Sequence, residues 1–363
     1  MKVKTQVLQE MLTKAVKGSV PNKMLPLTSL IGVKSAGNKF ELITTDGSNY
    51  LYVIGEQEDS DTLDISVDIE KFSKLVAKFS TEFTELEVDD GVLKISGNGQ
   101  YKIGLPLDED NGVVKYTDPV SKLEFKYPPI VVSTEDIKSV LQFNKPALAV
   151  SSDESNCYTN YYTSGDSVVS TDSFKLCGNK VSLGANTPLL ISASTMELLN
   201  NISDETCNMR IVNNTVCFFS SDITVYSVSP DGVEKYSNTV NKIQKIIDTD
   251  LTSNCRVSKN SLISLLERIS LFVGPYDKNI VSLQFGTTGL VVSSKDESAI
   301  DELEYKEAQN VQPFDCLLDI SMLLSLIKSQ TSDYLNIYFG ESSSRVIKLV
   351  DGDVSQVLAL ATQ

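Results

Sequence analysis

The side chains that most often carry catalysis or hold metals are either missing from this sequence or lack the usual spacing. The 363 residues contain no histidine, so the chain by itself forms no Ser-His-Asp triad, no Cys-His pair and no zinc site that needs histidine. None of the cysteines stands in a Cys-x-x-Cys pair. They are Cys157, Cys177, Cys207, Cys217, Cys255 and Cys316. We predict no metal and no cofactor.

Carboxylates are the remaining candidates for acid–base chemistry. Asp108, Glu109 and Asp110 are adjacent, and a glycosidase would use two such groups on either side of its substrate. The cluster lies in a stretch typical of a solvated loop, and no other reactive residues converge on it. We therefore predict no catalytic residue and a protein that is not an enzyme.

The location expected from the sequence is the cytoplasm. The first residues lack the apolar core of a signal peptide, and no apolar run approaches the ~20 residues that span a bilayer. Cysteines of a cytosolic protein are expected to be reduced thiols.

Six strand-like residues recur at intervals of 59 to 66 residues, and each precedes a stretch with helical periodicity. These anchors are Val3, Val67, Val132, Ile191, Val257 and Leu318. Among the residues five, eight and nine positions after each anchor, seventeen of eighteen are apolar, and Asn200 is the exception. That spacing places all three on one helix face. Residues suited to N-caps directly follow five anchors: Asp68, Ser133, Ser192, Ser258 and Asp319.

Between the helical stretches, hydrophobicity alternates with period two around Asp-Gly, Asn-Asn and Gly-Asn-Gly turns, which predicts β-hairpins. Each unit is thus one helix plus about four strands. One unit buries too little surface to be stable alone, whereas two make an ordinary domain. We predict an α+β fold of three tandem similar domains, 1–128, 129–247 and 248–363, with polar joints near 116–129 and 237–254.

The charge is unevenly distributed. The chain has 48 acidic and 32 basic side chains, a net charge of −16. The fourteen residues after each anchor together carry eleven basic and ten acidic groups, so almost all of the negative charge lies elsewhere. Lysines on helices often only solvate a surface, but a shared face of this kind also suits the phosphates of DNA. The candidate DNA-facing residues are Lys14, Lys74, Lys78, Lys138, Arg268 and Lys328.

Short segments in the same order and spacing resemble a known family. These segments are Leu25-Pro26-Leu27, Thr45-Asp46-Gly47, VVSTDSFKL at 168–176, Asp231-Gly232 followed by Tyr236, Ile246-Ile247, and the terminal QVLALATQ. Together with the sixfold repeat and the length, they resemble the bacterial-type DNA sliding clamp, the beta subunit of the replicative polymerase. The resemblance extends over the whole chain.

The resemblance implies a head-to-tail homodimer that forms a ring of six domains around duplex DNA. Such a ring slides without reading sequence and tethers the DNA polymerase, so that it acts as a processivity factor. An ATP-dependent clamp loader opens it, and no membrane is involved. The expected location is the nucleoid within the cytoplasm.

The resemblance also implies a pocket for partner peptides between the second and third domains. Its wall, carried over position by position, comprises Thr159, Thr171, Ser173, Phe174, Lys175, Leu176, Ser237, Ile246, Ser344, Val357 and Ala359. Ser173, Phe174, Ser237 and Ala359 depart from the residues usual in the family. This suggests a divergent replicon, such as a phage or mobile element with its own polymerase.

A subunit interface is the last expectation from the resemblance. It comprises Lys71, Lys74, Ile103 and Leu105 on one side and Leu271, Phe272, Glu302 and Glu304 on the other. Leu271 and Phe272 fit a domain core equally well. The alternative function is a β-rich structural or virion protein that encircles no DNA, and six regular amphipathic helices argue against it.

Overall fold

Each helix predicted from the repeat begins directly after the strand that carries its anchor. The computed structural model describes residues 1–110, 112–150, 156–185, 187–230, 233–274, 279–340 and 345–361, without the side chains of Asn156, Cys157, Lys235 and Ser237. Its helices are α1 (Thr5–Ala15), α2 (Ile69–Val76), α3 (Thr134–Phe143), α4 (Asn156–Thr159), α5 (Ala193–Leu199), α6 (Val233–Ile247), α7 (Lys259–Ser270) and α8 (Ile320–Ser329).

The apolar face predicted for these helices is their buried face. Of the eighteen residues that define it, fifteen are buried, Leu75 and Leu141 are half-buried, and Asn200 is exposed. Phe72 and Leu8 are fully buried. The predicted helical register is therefore correct in all six units.

Four of the predicted N-caps accept a backbone hydrogen bond. The Asp68 carboxylate accepts from Lys71 N, and the Ser133 and Ser258 hydroxyls accept from Glu135 N and Ser261 N. Asp319 Oδ1 accepts from two amides, Ser321 N at 2.8 Å and Met322 N at 3.0 Å. These bonds satisfy amides that have no partner within the helix.

Replacing Asp319 by alanine should therefore lower the free energy of unfolding by about 1 kcal/mol, because α8 loses both capping bonds. Urea titration measures the change. Asp333→Ala is the matched control, since the Asp333 side chain is exposed and accepts no hydrogen bond from a helix amide of the described residues. Equal losses in the two variants would contradict the capping role.

The strands follow the predicted hairpins. They are β1 (Lys2–Lys4), β2 (Leu30–Ala36), β3 (Lys39–Thr45), β4 (Asn49–Glu56), β5 (Leu63–Asp68), β6 (Phe83–Asp89), β7 (Val92–Ser96), β8 (Gln100–Gly104), β9 (Ile130–Ser133), β10 (Asn160–Ser164), β11 (Ser167–Thr171), β12 (Lys175–Asn179), β13 (Leu189–Ser192), β14 (Thr206–Val212), β15 (Thr215–Phe219), β16 (Ile223–Val228), β17 (Ser253–Ser258), β18 (Ile280–Phe285), β19 (Gly289–Ser294), β20 (Ile300–Glu304), β21 (Glu307–Gln309), β22 (Phe314–Asp319), β23 (Tyr334–Phe339), β24 (Val346–Asp351) and β25 (Val354–Ala359).

The chain divides into two compact units. Unit 1 comprises 1–135 and 194–229, and unit 2 comprises 136–193 and 230–363. Segments of the predicted second domain fall in both, because strands from different predicted domains pair within one sheet. The boundaries of the three domains remain a prediction.

Unit 1 contains two antiparallel sheets. The larger has the strand order β5-β2-β3-β4-β16-β15-β14-β9, and the smaller β1-β6-β7-β8. The junction within the larger sheet is the pair β4–β16, in which Tyr52 stands opposite Thr224. Helix α1 packs on β3 and β4.

Unit 2 repeats this plan. Its larger sheet has the order β13-β10-β11-β12-β25-β24-β23-β17-β21, and its smaller sheet β20-β19-β18-β22. The pair β12–β25, in which Leu176 stands opposite Val357, corresponds to β4–β16 of unit 1. Helix α7 packs on β17, β19 and β20 and against α8.

The prediction of a polar joint at 237–254 was wrong, because most of that segment is helical. Helix α6 continues to Ile247, and β17 begins at Ser253. Val240, Ile243 and Ile247 recur at helical spacing and pack in one apolar cluster with strands of unit 2. The other joint, 116–129, contains only a short 3-10 turn at Val120–Lys122.

Candidate functional site

A tight turn between β11 and β12 places an aromatic side chain on the surface of unit 2. Ser173 has φ of 78°, in the left-handed region where glycine is favoured. Asp172 Oδ1 holds the turn by accepting from Phe174 N at 3.0 Å and Lys175 N at 2.6 Å. The ring of Phe174 is 57% exposed. Ser173 therefore adopts a backbone conformation that glycine would adopt without strain.

Helix α6 forms one wall of a cavity beside this turn. Gly178 lets the end of α6 approach β12, since a Cβ there would lie 2.8 Å from Ile247 Cδ1. Lys348 Nζ on β24 fixes the same end by donating to the carbonyl oxygens of Ile247 at 2.7 Å and Thr249 at 2.9 Å. Two contacts on different strands thus position α6.

The cavity between α6, the turn and the sheet has a volume of about 300 Å³, and we call it the α6 cavity. It is lined by Tyr158, Thr171, Ser173, Phe174, Leu176, Thr239, Ile243, Ile246, Val346, Val357 and Ala359. Most of its wall is apolar, as in sites that bind apolar side chains of a ligand. Charged side chains are absent from this lining.

Seven of the eleven residues predicted for a peptide pocket line the α6 cavity. Thr159 and Lys175 are not part of its wall. Thr159 is the last residue of α4, and the Lys175 ammonium lies 3.2 Å from the Asp172 carboxylate. Ser344 and the side chain of Ser237 lie outside the described residues. That the cavity binds a peptide stays a prediction.

Four lining residues were missed from the sequence: Tyr158, Thr239, Ile243 and Val346. A signal for Ile243 was present, because Val240, Ile243 and Ile247 recur at helical spacing. Tyr158 and Val346 lie far apart in the sequence and enter the cavity wall only through the packing of the sheet.

The residues predicted for a subunit interface lie on or near two sheet edges. Strand β8 ends one four-stranded sheet, and β20 ends the other. At the C-terminal end of α7, Leu271 is 82% exposed and Phe272 57%. They are thus no part of a domain core, which was the alternative interpretation. Ile103 on β8 is half-buried, and Glu302 and Glu304 on β20 are exposed.

Leu105, which was predicted to belong to this interface, is buried in the single chain, with only 6% of it exposed. The chain turns inward directly after β8, where Leu105 N donates to the Gly91 carbonyl oxygen at 2.9 Å. Lys71 and Lys74 are exposed on α2, where Lys74 pairs with Glu70 one turn earlier.

Four of the six basic residues predicted to face DNA are ion-paired within the chain. Lys14 lies 2.6 Å from Asp222, Lys74 pairs with Glu70, Arg268 lies 2.6 Å from Asp301, and Lys328 lies 2.8 Å from Glu267. Lys78 and Lys138 are exposed and form no ion pair with any residue in the described part of the chain.

Reactive groups are not concentrated at any point that the structure describes. No group of three or more Cys, Asp or Glu in the described residues is arranged to hold a metal. The five cysteines with described side chains are buried and unpaired, and burial raises the thiol pKa of Cys207 to about 11 and of Cys217 to about 12. No helix among the described residues has the length and apolarity to cross a membrane.

The whole chain is similar to solved structures of bacterial sliding clamps. It matches the DNA polymerase sliding clamp of Bacillus subtilis with a TM-score of 0.83 and 16% identity, covering 100% of this chain and 98% of that one. The match to the DNA polymerase III beta subunit of Thermotoga maritima has a TM-score of 0.82 and 16% identity, and it covers 100% of this chain and 99% of that one. The match to the Pseudomonas aeruginosa clamp bound to griselimycin has a TM-score of 0.86 and 12% identity, and it covers 100% of this chain and 99% of that one.

The likeness lies in the structure rather than in the sequence. No family model and no curated protein sequence matches this chain. The match nevertheless extends over the full length, including both four-stranded sheets and α6. The chain therefore has the fold of the bacterial DNA polymerase III beta sliding clamps.

Proposed function

We propose that this protein is a DNA sliding clamp. Two copies join head to tail into a ring around duplex DNA, and the ring tethers a replicative DNA polymerase. The protein itself performs no chemistry. Its work depends on topology, since a closed ring stays on DNA without binding it tightly. The proposal rests on the fold and on the strand order of the sheets.

The strand order is the observation that carries the proposal. Each large sheet joins one group of four strands to another, β9-β14-β15-β16 to β4-β3-β2-β5 and β17-β23-β24-β25 to β12-β11-β10-β13, and the second sheet has β21 as a ninth strand beside β17. Each small sheet corresponds to one of these groups of four strands without its neighbour. The sheet β1-β6-β7-β8 corresponds to β9-β14-β15-β16, and the sheet β20-β19-β18-β22 corresponds to β4-β3-β2-β5. Pairing β8 of one copy with β20 of another would complete a third sheet, and doing so twice closes a dimer in which neither β8 nor β20 is an open edge.

The side chains at the two edges are complementary. Strand β20 carries the exposed Glu302 and Glu304, besides Asp301, which pairs with Arg268, whereas Lys102 lies on β8. Opposite charges favour the correct pairing, although exposed pairs add only about 0–1 kcal/mol each. Leu271 and Phe272 provide the exposed apolar surface that a stable interface requires.

Two measurements test the proposal. Light scattering over a range of concentrations should give twice the chain mass of 39.8 kDa. After loading by the cognate ATP-dependent clamp loader, the protein should remain on nicked circular DNA and leave when a nuclease linearises that DNA. A stable trimer would contradict the dimeric ring, and equal retention on both DNA forms would contradict encirclement.

The basic side chains on the helices are expected to bind the DNA phosphates only weakly. Lys78 and Lys138 are available for phosphates, whereas Lys14, Arg268 and Lys328 must first separate from carboxylates. Weak, sequence-independent contacts allow sliding, because no phosphate contact holds the ring in one place. The acidic remainder of the chain would keep DNA off other surfaces.

Replacing Glu267 by glutamine should release Lys328 and strengthen the binding of duplex DNA by the dimer. The slope of log affinity against log salt should steepen by about one, the value for one added phosphate contact. Fluorescence anisotropy in a salt series measures it. Asp166→Asn removes one charge at an exposed turn, and the same steepening in that variant would contradict a local effect.

The α6 cavity is the proposed site for peptides of partner proteins. Its apolar wall and the exposed Phe174 suit a short segment with apolar anchor residues. The polymerase and the clamp loader are the proteins proposed to contain such segments. The proposed place of action is the nucleoid in the cytoplasm.

A further inference from the structure

A second cavity opens in unit 1 beside the joint 116–129, and we call it the joint cavity. Its volume is about 240 Å³, and its wall includes Glu41, Tyr52, Ile54, Asp118, Val120 and Phe219. It lies on β3, β4, β15 and β16, the strands that correspond in sheet order to β11, β12, β24 and β25 around the α6 cavity. The proposed clamp function does not use this cavity.

The two sites share one construction. The turn Thr45-Asp46-Gly47 between β3 and β4 repeats Thr171-Asp172-Ser173, and Asp46 Oδ1 accepts from Ser48 N and Asn49 N as Asp172 does from the corresponding amides. At the position that corresponds to Leu176 and Val357, Tyr50 and Tyr226 pack edge to face, 5.7 Å apart. The two tyrosine rings fill that position, so the joint cavity opens two residues further along each strand, at Tyr52 and Thr224.

The joint segment is held firmly over the sheet. The Tyr116 hydroxyl lies 2.8 Å from the carbonyl oxygens of both Leu27 and Leu30, and its ring lies 3.0 Å from where a side chain of Gly32 would begin. The Tyr52 hydroxyl donates to Asp118 Oδ1 at 3.0 Å. The cavity is thus formed before any ligand arrives, so a ligand need not order it.

The charges in the joint cavity are incompletely balanced. Lys34 Nζ lies 3.6 Å from Asp118. Although Lys34 stands opposite Glu41 in the sheet, the Glu41 carboxylate forms no hydrogen bond or ion pair with any described residue. Burial raises the pKa of Glu41, Asp118 adds to the rise, and Lys34 and the exposed Lys39 only partly oppose it. A cation placed beside Glu41 would supply the missing compensation.

We propose that the joint cavity binds a peptide segment of a partner protein through one arginine. The guanidinium pairs with Glu41, and the neighbouring apolar side chain of the peptide packs on Ile54, Val120 and Phe219. Arginine suits the site better than lysine because its planar fork matches a carboxylate and stacks on aromatic rings. The same face already holds such a contact, since the Arg210 guanidinium lies 5.0 Å from the ring centre of Phe125, which packs on Phe219.

The test uses the full-length protein with methyl-labelled isoleucine and valine and two probe peptides, acetyl-Arg-Leu-Leu-amide and acetyl-Gln-Leu-Leu-amide. The arginine peptide should shift the methyl resonances of Ile54 and Val120, with affinity at least about tenfold above that of the glutamine peptide, as expected for a charged hydrogen-bonded pair. Glu41→Gln should abolish the difference. Glu87→Gln, at an exposed position on β6, should preserve it.

The outcomes separate this inference from the proposed clamp function. Equal shifts with both peptides, shifts only at Ile246 and Val346 of the α6 cavity, or an unchanged Glu41→Gln variant would overturn it. Thermal unfolding of Glu41→Gln checks that the variant folds. Retention on circular DNA reports the clamp function independently, so either hypothesis can fail while the other stands.

Discussion

Replacing Phe272 by aspartate is expected to convert the proposed dimer into monomers while each chain stays folded. Phe272 is 57% exposed in the single chain, so the substitution removes little from the chain's own core. At the completed interface, the change deletes an aromatic anchor and leaves a buried carboxylate unpaired. The dimer should weaken by at least about 3 kcal/mol, roughly a hundredfold in the dissociation constant.

Sedimentation equilibrium measures that dissociation constant. The matched control is Tyr127→Asp, because Tyr127 is 78% exposed in the joint 116–129, outside both free sheet edges. The control should remain dimeric. A dimeric Phe272→Asp variant would show that β8 and β20 do not join in the proposed way. Retention on circular DNA should be lost with the dimer, since a monomer cannot enclose a duplex.

Replacing Phe174 by alanine is the second change with a large expected effect. Phe174 lines the α6 cavity on a turn whose backbone is held by Asp172, so the position of its Cα is set before a ligand binds. Truncating such an aromatic anchor typically weakens binding by about 2 kcal/mol, roughly thirtyfold. Fluorescence polarisation with a labelled clamp-binding peptide of the cognate polymerase measures this loss.

The control is Tyr334→Ala, which truncates another partly exposed aromatic residue of unit 2, on β23. It should bind the peptide as the unchanged protein does. If Phe174→Ala also binds normally, the α6 cavity is not the site. Primer extension on circular templates should shorten with Phe174→Ala, whereas retention of the ring on DNA should not change.

Local patterns of the sequence were sufficient to predict the repeated helices and hairpins. Apolar residues at helical spacing predicted six helices with the correct buried face, and the cap at Asp319 and the turn at Asp46 form as expected. These features depend on residues close together in the chain. The same reasoning failed at α6, where polar residues between Val240, Ile243 and Ile247 concealed an apolar stripe.

The candidate sites were only partly predictable, because they depend on contacts between distant residues. Tyr158 on α4 and Val346 on β24 come together in the wall of the α6 cavity only in the folded chain, and Leu105 proved buried because the chain turns inward after β8. Counting charges in the sequence could not show that Lys14, Arg268 and Lys328 form ion pairs with carboxylates of the same chain.

By itself, the sequence determined the α+β class, the sixfold repeat, the helical faces and the strands, since each follows from side-chain periodicity and local hydrogen bonds. Only the tertiary structure decided which strands pair across the chain, which edges stay open, and where cavities form. The physical reason is that strand pairing and packing depend on long-range burial of apolar surface. A local pattern permits many such arrangements, and the folded chain selects one of them.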